Sequence, residues 1–501
     1  MRWEGNTLYS GKLIEAYDEF ITKNNLQDRK AIRETIETLE EGHNVILKAP
    51  TGYGKTTLTK VLANATIHGQ YFDRVIHVLP LRAIVQDLYS KLKKDSESGV
   101  IKTKSIAAQD MDYSDSPFFM KKVTVTTLDT FVLNLFKLPA VEVKNVFKNF
   151  GSHYELSRGM IYSSIVIFDE FHLLGEEGRP LTVGLASIKS LTDAGVPVVV
   201  MSATIDKNLE DLIKKYGRDF KVVEDPNFAI KREITVRKIS TQEVLDDAVN
   251  QFKKGKRVLV VFNTRADAVE FYKKVKAEGV NPVLIHSKFN KNDRLEIVKT
   301  IVEEGARFVI STQVIEAGVD TSFDVLITEA SPASNLIQRA GRVARYGGVG
   351  EVHVFPFSGK VYDKREVESV WNSIKDGGDL PKLAEREYKV DSVLLGDLTT
   401  IDYSVFANHD TTKNLYKTVC NLARHTSIIL GFPVNNFSID YAVPLTEQEA
   451  LRELKENGVI KNGEVSKDVE VKGECLQLKF LREGIEGVVI RGYDKEIGGI
   501  L

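Results

Sequence analysis

The stretch Ala49-Pro50-Thr51-Gly52-Tyr53-Gly54-Lys55-Thr56 constrains the fold of this chain more than any other. The apolar run Val45-Ile46-Leu47 precedes it and reads as a buried strand. Thr57-Leu58-Thr59-Lys60-Val61-Leu62-Ala63 follows and reads as the start of a helix. A glycine-containing turn between strand and helix aims backbone N–H groups at a phosphate chain. Lys55 has the reach for the β- and γ-phosphates, and the Thr56 hydroxyl suits Mg²⁺. The strict pattern asks for Gly where Ala49 stands. Such a site takes a nucleoside triphosphate, so ATP and Mg²⁺ are the expected cofactors. What the hydrolysis drives must come from the rest of the chain.

The remainder is organised around two series of alternating strands and helices. Residues 1 to about 43 carry apolar positions at helical spacing, as in Ala31-Ile32, Ile36 and Leu39. Asn44–Lys48, Arg74–Leu79, Val123–Thr126, Ser164–Phe168 and Val196–Met201 then read as strands separated by helical patterns. Glu224-Asp225-Pro226-Asn227 breaks the pattern like a linker. A second series follows: Arg257–Phe262, Pro282–His286, Arg307–Ser311, Asp324–Glu329 and Glu351–Phe355, with helical patterns at Ala266–Glu278 and Lys291–Glu304. The expected fold is α/β. A first parallel-sheet domain spans 1–225 and a second spans 226–360. A C-terminal accessory domain over 361–501 begins helical and ends in short β-like runs. A chain of 501 residues with 43% hydrophobic content has the material for such cores.

The net charge of −2 gives no global basic field, so nucleic acid would have to follow a local basic groove. The only cysteines, Cys420 and Cys475, form no zinc pattern and suit a reducing cytoplasm. The start lacks the apolar core of a signal peptide, and no apolar run nears the roughly 18 residues of a membrane span. A cytoplasmic protein with no membrane partner is expected.

Three further segments supply chemistry. In Ile167-Phe168-Asp169-Glu170-Phe171-His172 an acidic pair ends an apolar strand, where doubly wound sheets bind ligands. Asp169 would hold Mg²⁺ and Glu170 would orient and deprotonate the attacking water. Ser202-Ala203-Thr204 ends another strand and would sit beside that pair. In Gln338-Arg339-Ala340-Gly341-Arg342-Val343-Ala344-Arg345, helical spacing puts Arg342 and Arg345 on one face. Their guanidinium forks suit the charge of a phosphoryl-transfer transition state, so they read as arginine fingers from the second lobe. Asp320 would touch ribose or relay closure. Gln27 is a candidate adenine reader, since a carboxamide pairs with N6 and N7.

Together, Ala49–Thr56, Asp169–His172, Ser202–Thr204, Ile310–Asp320 and Gln338–Arg345 resemble the motif set of a superfamily 2 helicase of the Asp-Glu-x-His class, across about residues 20–350. His77–Val85, Thr126–Phe131, Ile285–Phe289 with Asp293-Arg294, and Thr312–Asp320 are similar to the helicase of type I CRISPR interference. The resemblance implies two tandem RecA-like domains, with Pro50, Thr51, Gly52, Tyr53, Gly54, Thr57 and Gly318 also at ATP. It implies a catalytic place for Gln338, and coupling roles for His172, Ser202, Thr204 and Arg339. It further implies a motor that moves 3′→5′ along single-stranded DNA and unwinds an R-loop made by a CRISPR RNA-guided surveillance complex. Pro80, Arg82, Thr126, Thr127, Ser287 and Thr312 match segments that hold the strand's backbone in that family.

The family often carries an N-terminal His-Asp nuclease domain. With the motor core starting near residue 20, none is expected in front. His409-Asp410 with His425 make a thin metal cluster, better read as a solvated loop. The expected form is therefore a helicase subunit whose HD nuclease is a separate polypeptide. A DNA repair helicase, an RNA helicase, and an ATP-gated clamp that closes on nucleic acid without translocating are the alternatives.

Overall fold

The apolar runs of the first series become central strands because both of their faces are covered by helices. The computed structural model describes residues 12–50, 52–67, 72–110, 114–137, 139, 141, 154–176, 178–228, 232–316, 319–381, 386–403, 429–467 and 476–500. By contact the chain divides into two units. One is drawn from Met1–Asn227, Glu385–Ile429 and Thr446–Val488, the other from Phe228–Ala384, Leu430–Leu445 and Val489–Leu501.

The first unit holds a seven-stranded sheet of β1 (Asn44–Lys48), β2 (Arg74–Leu79), β3 (Ile106–Gln109), β4 (Val123–Thr127), β5 (Ser164–Asp169), β6 (Val198–Ser202) and β7 (Phe220–Glu224). Its order is β3-β4-β2-β5-β6-β1-β7, and every pairing is parallel. Register matters for function. Lys48 pairs with Ser202, and Asp169 with Met201, so β1, β5 and β6 end at one edge. Under the sheet, Phe168 meets Phe131 and Phe171 edge-on at 5.6 and 6.1 Å. Thr127 and Asp206 cap the helices Leu128–Leu135 and Lys207–Tyr216 by accepting from Thr130 N and Leu209 N.

The second unit holds a six-stranded sheet of β8 (Arg232–Lys238), β9 (Val258–Val261), β10 (Val283–Ile285), β11 (Phe308–Ser311), β12 (Val325–Glu329) and β13 (Gly348–Phe355). Its order is β10-β11-β9-β12-β13-β8, again all parallel. Of the strands in these two sheets, three escaped the sequence reading: β3, β7 and β8. All three are edge strands. In β8 exposed side chains alternate with covered ones, of which only Val236 is fully buried, so no continuous apolar run marks the strand.

The sequence reading groups 361–501 as one accessory domain, but by contact this region is shared between the units. The helix Lys364–Ser373 places Val367 and Val370 in the core of the second unit. The helix Ser392–Tyr403 instead packs on Gly178–Asp193, and Leu394, Leu398 and Ile401 join the core of the first unit. Arg158 Nη2 and the Tyr162 hydroxyl both reach Asp402 Oδ1, at 3.1 and 3.2 Å. Ahead of that helix, residues 386–391 lie so close to Gly175 and Gly178 that a Cβ there would meet the Tyr388 ring and the Lys389 carbonyl. In the first unit a hairpin of Val459–Lys461 and Glu464–Ser466 pairs antiparallel with residues 485–488.

Leu398 is fully buried in this arrangement. Leu398→Ala should destabilise the first unit by about 2–5 kcal/mol. Urea unfolding checks this: an unchanged midpoint would show that residues 392–403 do not complete that core.

Candidate active site

Local backbone demands build the phosphate loop. Gly52 and Gly54 have φ of +84° and +94°, a left-handed region that side chains disfavour. The helix Thr56–Ala65 begins directly after them, so its free N–H groups and its positive end face the loop. Ala49 lies inside the sheet edge, its N–H donating to Ser202 O at 3.1 Å. Lys55 Nζ lies 3.3 Å from Ala49 O and 3.4 Å from Glu170 Oε1. Pro50 and Gly52 are exposed, while Thr56 and Thr57 are half-buried on the helix. Thr51 lies outside the described residues.

Tyr53 serves the loop from behind. Its ring is fully buried, and its hydroxyl accepts from Ala31 N at 2.8 Å and donates to Asp225 Oδ2 at 2.9 Å. Burial above all pushes this phenol up to about 12. Tyr53 thereby tethers the N-terminal helix Lys30–Glu40 to the loop. Gln27 stands exposed in the turn before that helix.

At the end of β5, Glu170 adopts φ +50°, a strained conformation for a non-glycine residue. Its N–H donates to Asp169 Oδ1 at 2.8 Å. Burial works to raise the Asp169 carboxyl, but contact with His77 and the charge of Lys55 outweigh it and hold it below the usual range. An ionised carboxylate and a threonine hydroxyl are hard oxygen donors of the kind Mg²⁺ takes, so Asp169 and Thr56 fit that ion. Glu170 Oε2 lies 3.5 Å from His172 Nδ1, and that nitrogen lies 2.6 Å from Ser202 Oγ. Ser202 Oγ also accepts from Thr204 N at 3.1 Å. Burial first, then the charges of Lys55 and Arg386, depress His172 to about 3. A neutral His172 therefore bridges the acidic pair to the end of β6. Lys55, Asp169, Glu170, His172, Ser202 and Thr204 come together within the first unit.

The arginine segment of the second unit is organised by a buried ion pair. Arg339 is fully buried, with Nε 2.7 Å from Glu316 Oε1. Its other donors reach Thr328 Oγ1, Glu329 O and Asn263 Oδ1 at 2.9 to 3.1 Å. Asn335 Nδ2 donates to the second Glu316 oxygen at 3.0 Å. Arg342 is buried, and its fork donates to the carbonyls of Ile315, Glu316 and Val319. Arg345 Nε forms an ion pair at 2.9 Å with Asp320 Oδ1, which accepts a hydrogen bond from the Tyr346 hydroxyl at 2.9 Å. Its Nη1 is buried without a hydrogen-bond partner. Gln338 and Arg339 are buried on the helix Ala333–Ala340; the helix ends there, so Arg342 and Arg345 stand in the turn beyond it and not on one helical face as their spacing suggested. Gly318 lies outside the described residues. Sequence reasoning passed over Glu316, Asn335 and Asn263 as site residues, since their roles rest on contacts far along the chain.

The expected strand-binding residues divide by exposure. Ser287 is exposed, whereas Pro80, Thr126, Thr127 and Thr312 are buried. The Thr126 hydroxyl donates to Gln109 O, and that of Thr127 caps a helix. Arg82 opens the helix Arg82–Glu97. Around Ser287, residues 493–500 strap the loop. His286 Nε2 donates to Ile497 O at 2.7 Å, Arg265 Nη1 to Gly498 O at 3.2 Å, and the Tyr272 hydroxyl to Glu496 Oε1 at 3.1 Å. A Cβ on Gly498 would press on His286 and Phe289.

Among the described residues no group of three or more His, Cys, Asp or Glu is placed to hold a metal. His409, Asp410, His425, Cys420 and Cys475 lie outside those residues. No helix among the described residues is long and apolar enough to cross a membrane.

Comparison with known proteins accords with this geometry. Residues 29–212 match the family described as DEAD/DEAH box helicase. Residues 254–348 match CRISPR-associated nuclease/helicase Cas3, C-terminal. A putative CRISPR-associated nuclease/helicase Cas3 of Methanocaldococcus jannaschii is 26% identical over 69% of this chain and 52% of the relative. The CRISPR-associated helicase Cas3 of Thermoproteus tenax is 26% identical over 64% of this chain and 58% of the relative. The chain thus spans about half the length of the curated relatives it matches. The structure of T. fusca Cas3 with AMPPNP superposes with a TM-score of 0.65 at 15% identity, covering 97% of this chain and 71% of that one. The DUF1998 helicase MrfA bound to DNA gives 0.64 at 15%, covering 96% and 69%. These two likenesses establish a shared fold of tandem RecA-like sheets.

The strap predicts a pH dependence. Burial foremost lowers His286 to about 4, against an ordinary histidine near 6.5. Above pH 6.5 both folded and unfolded chains hold it neutral. Below that, the unfolded chain takes up a proton first, so stability is lost as pH falls from about 6.5 toward 4. His286→Gln keeps a donor for Ile497 O and does not titrate. The gap between the thermal midpoints of wild type and variant should shrink or invert from pH 7 to pH 4.5, and a constant gap would refute the assignment.

Proposed function

We propose that this chain, which carries a DEAD/DEAH-box helicase domain followed by a Cas3-like C-terminal domain, is an ATP-dependent helicase serving CRISPR interference. The observation that carries the reading is the convergence of Lys55, Asp169, Glu170, His172 and Ser202 at one sheet edge. Backbone N–H groups of the loop and Lys55 would hold the triphosphate, and Asp169 with Thr56 would hold Mg²⁺. When bound, the ion would supply charge neutralisation at the phosphates. Glu170, held beside Lys55 and neutral His172, would take the proton of the attacking water. Ser202 and Thr204 would pass the change at the acidic pair along β6. Within the second unit, Arg345 suits the arginine-finger expectation better than Arg342, because an Nη of its fork is uncommitted while Arg342 is bound to loop carbonyls.

The substrate reading is single-stranded DNA and R-loop DNA tracked 3′→5′. Its support is the resemblance of the motif set and the relatives named for CRISPR-associated Cas3. The exposed Ser287 is the best-placed backbone contact. A separate HD nuclease subunit and an RNA-guided surveillance complex complete the reading as partners.

Lys55→Ala should abolish ATPase activity stimulated by single-stranded DNA, by at least about 100-fold. Glu170→Gln should still bind ATP but turn it over very slowly. Wild-type turnover in the Lys55 variant would refute the site. Strand displacement on DNA and RNA duplexes with 3′ or 5′ overhangs tests substrate and direction: unwinding of DNA from a 3′ overhang is expected. Preference for RNA, or ATPase without unwinding, would favour an RNA helicase or a clamp. Purified protein with Mg²⁺, Mn²⁺, Ni²⁺ or Co²⁺ should leave single-stranded DNA intact, and cleavage lost in His409→Ala would overturn the separate-nuclease reading.

A further inference from the structure

A histidine stands in the middle of β2, whose sequence Arg-Val-Ile-His-Val-Leu is otherwise a buried apolar strand beyond its first residue. His77 is 1% exposed. Its Nδ1 lies 3.0 Å from Thr59 Oγ1. Its Nε2 lies 3.4 Å from Asp169 Oδ2 and makes no hydrogen bond. Packing with Thr59 accounts for one ring nitrogen only. The other is buried 3.4 Å from the carboxylate expected to hold Mg²⁺. Burying such a group without a partner is costly, so the contact calls for a reason.

We infer that His77 is a positioning residue for Asp169. The Thr59 hydroxyl donates to Nδ1, which leaves the ring proton on Nε2. That N–H then stands against Oδ2 by charge and packing at 3.4 Å, while the Glu170 N–H donates to Oδ1, so the carboxylate is flanked on both sides. Thr59 lies one turn beyond Thr56 on the helix Thr56–Ala65. The relay from Thr59 through His77 to Asp169 therefore ties the helix bearing one expected Mg²⁺ ligand to the strand bearing the other. Outer groups that orient a ligand in this way tune metal affinity about 10–100-fold when removed. The inference rests on the reading of this site as one for Mg²⁺ and a nucleotide.

The test compares wild type with His77→Phe, His77→Gln and Thr59→Val. Mn²⁺ affinity in the presence of ADP is read by electron paramagnetic resonance. Binding of a fluorescent ADP in EDTA and the thermal midpoint are measured alongside. His77→Phe should weaken Mn²⁺ at least about 10-fold with ADP binding in EDTA unchanged. His77→Gln, which keeps an N–H at the position of Nε2, should recover most of the affinity. Thr59→Val keeps the ring but frees the tautomer, and should weaken Mn²⁺ in the same direction. It carries the test if the phenylalanine variant fails to fold. Wild-type Mn²⁺ affinity in both His77→Phe and Thr59→Val would overturn the inference while leaving the site reading intact. Absence of Mn²⁺–ADP binding by wild type would overturn the site reading, and the inference with it.

Discussion

The shared ending of β1, β5 and β6 at one sheet edge is the constraint on which the candidate site depends. Parallel pairing sets that edge: Lys48 opposite Ser202 and Asp169 opposite Met201. Slipping any of the three strands by one residue would turn its side chains to the other face. The phosphate loop, the acidic pair and the serine would then no longer meet. Continuous burial of the central strands makes such slippage expensive, so the core specifies the site through register.

Around that edge the polar groups are few, and two buried ring nitrogens, His77 Nε2 and His172 Nε2, have no hydrogen-bond partner. His172 is kept neutral by burial and by nearby positive charge, which lets it contact both Glu170 and Ser202 without adding charge. Glu170 holds an unfavourable backbone conformation at the same place. Strain at a residue expected to position water accords with a site shaped for chemistry rather than for stability. The second unit uses a buried Arg339–Glu316 pair instead, in which nearly every guanidinium donor is matched. Removing one partner of such a pair is far more damaging than the pair's own net worth.

Much of this was legible in the sequence. The glycines at 52 and 54 and the apolar runs at 45–47 and 164–168 announced strand, turn and helix, because left-handed backbone and continuous burial leave marks in composition. The edge strands β3, β7 and β8 left fainter marks, since one side of each lacks a partner. The region after residue 361 was harder. The spacing of Leu394, Leu398 and Ile401 shows that a helix has an apolar face, but not which core that face completes.

The sequence by itself determined a glycine turn between strand and helix and an acidic pair at a strand end. These depend on local geometry and residue type. Only the tertiary structure decided the partners. Tyr53 is buried and tethers Ala31 and Asp225 through its hydroxyl. Arg342 is bound by loop carbonyls, and His77 stands against Asp169. Contacts between residues far apart in sequence follow from sheet order and register, and no spacing along the chain encodes them directly.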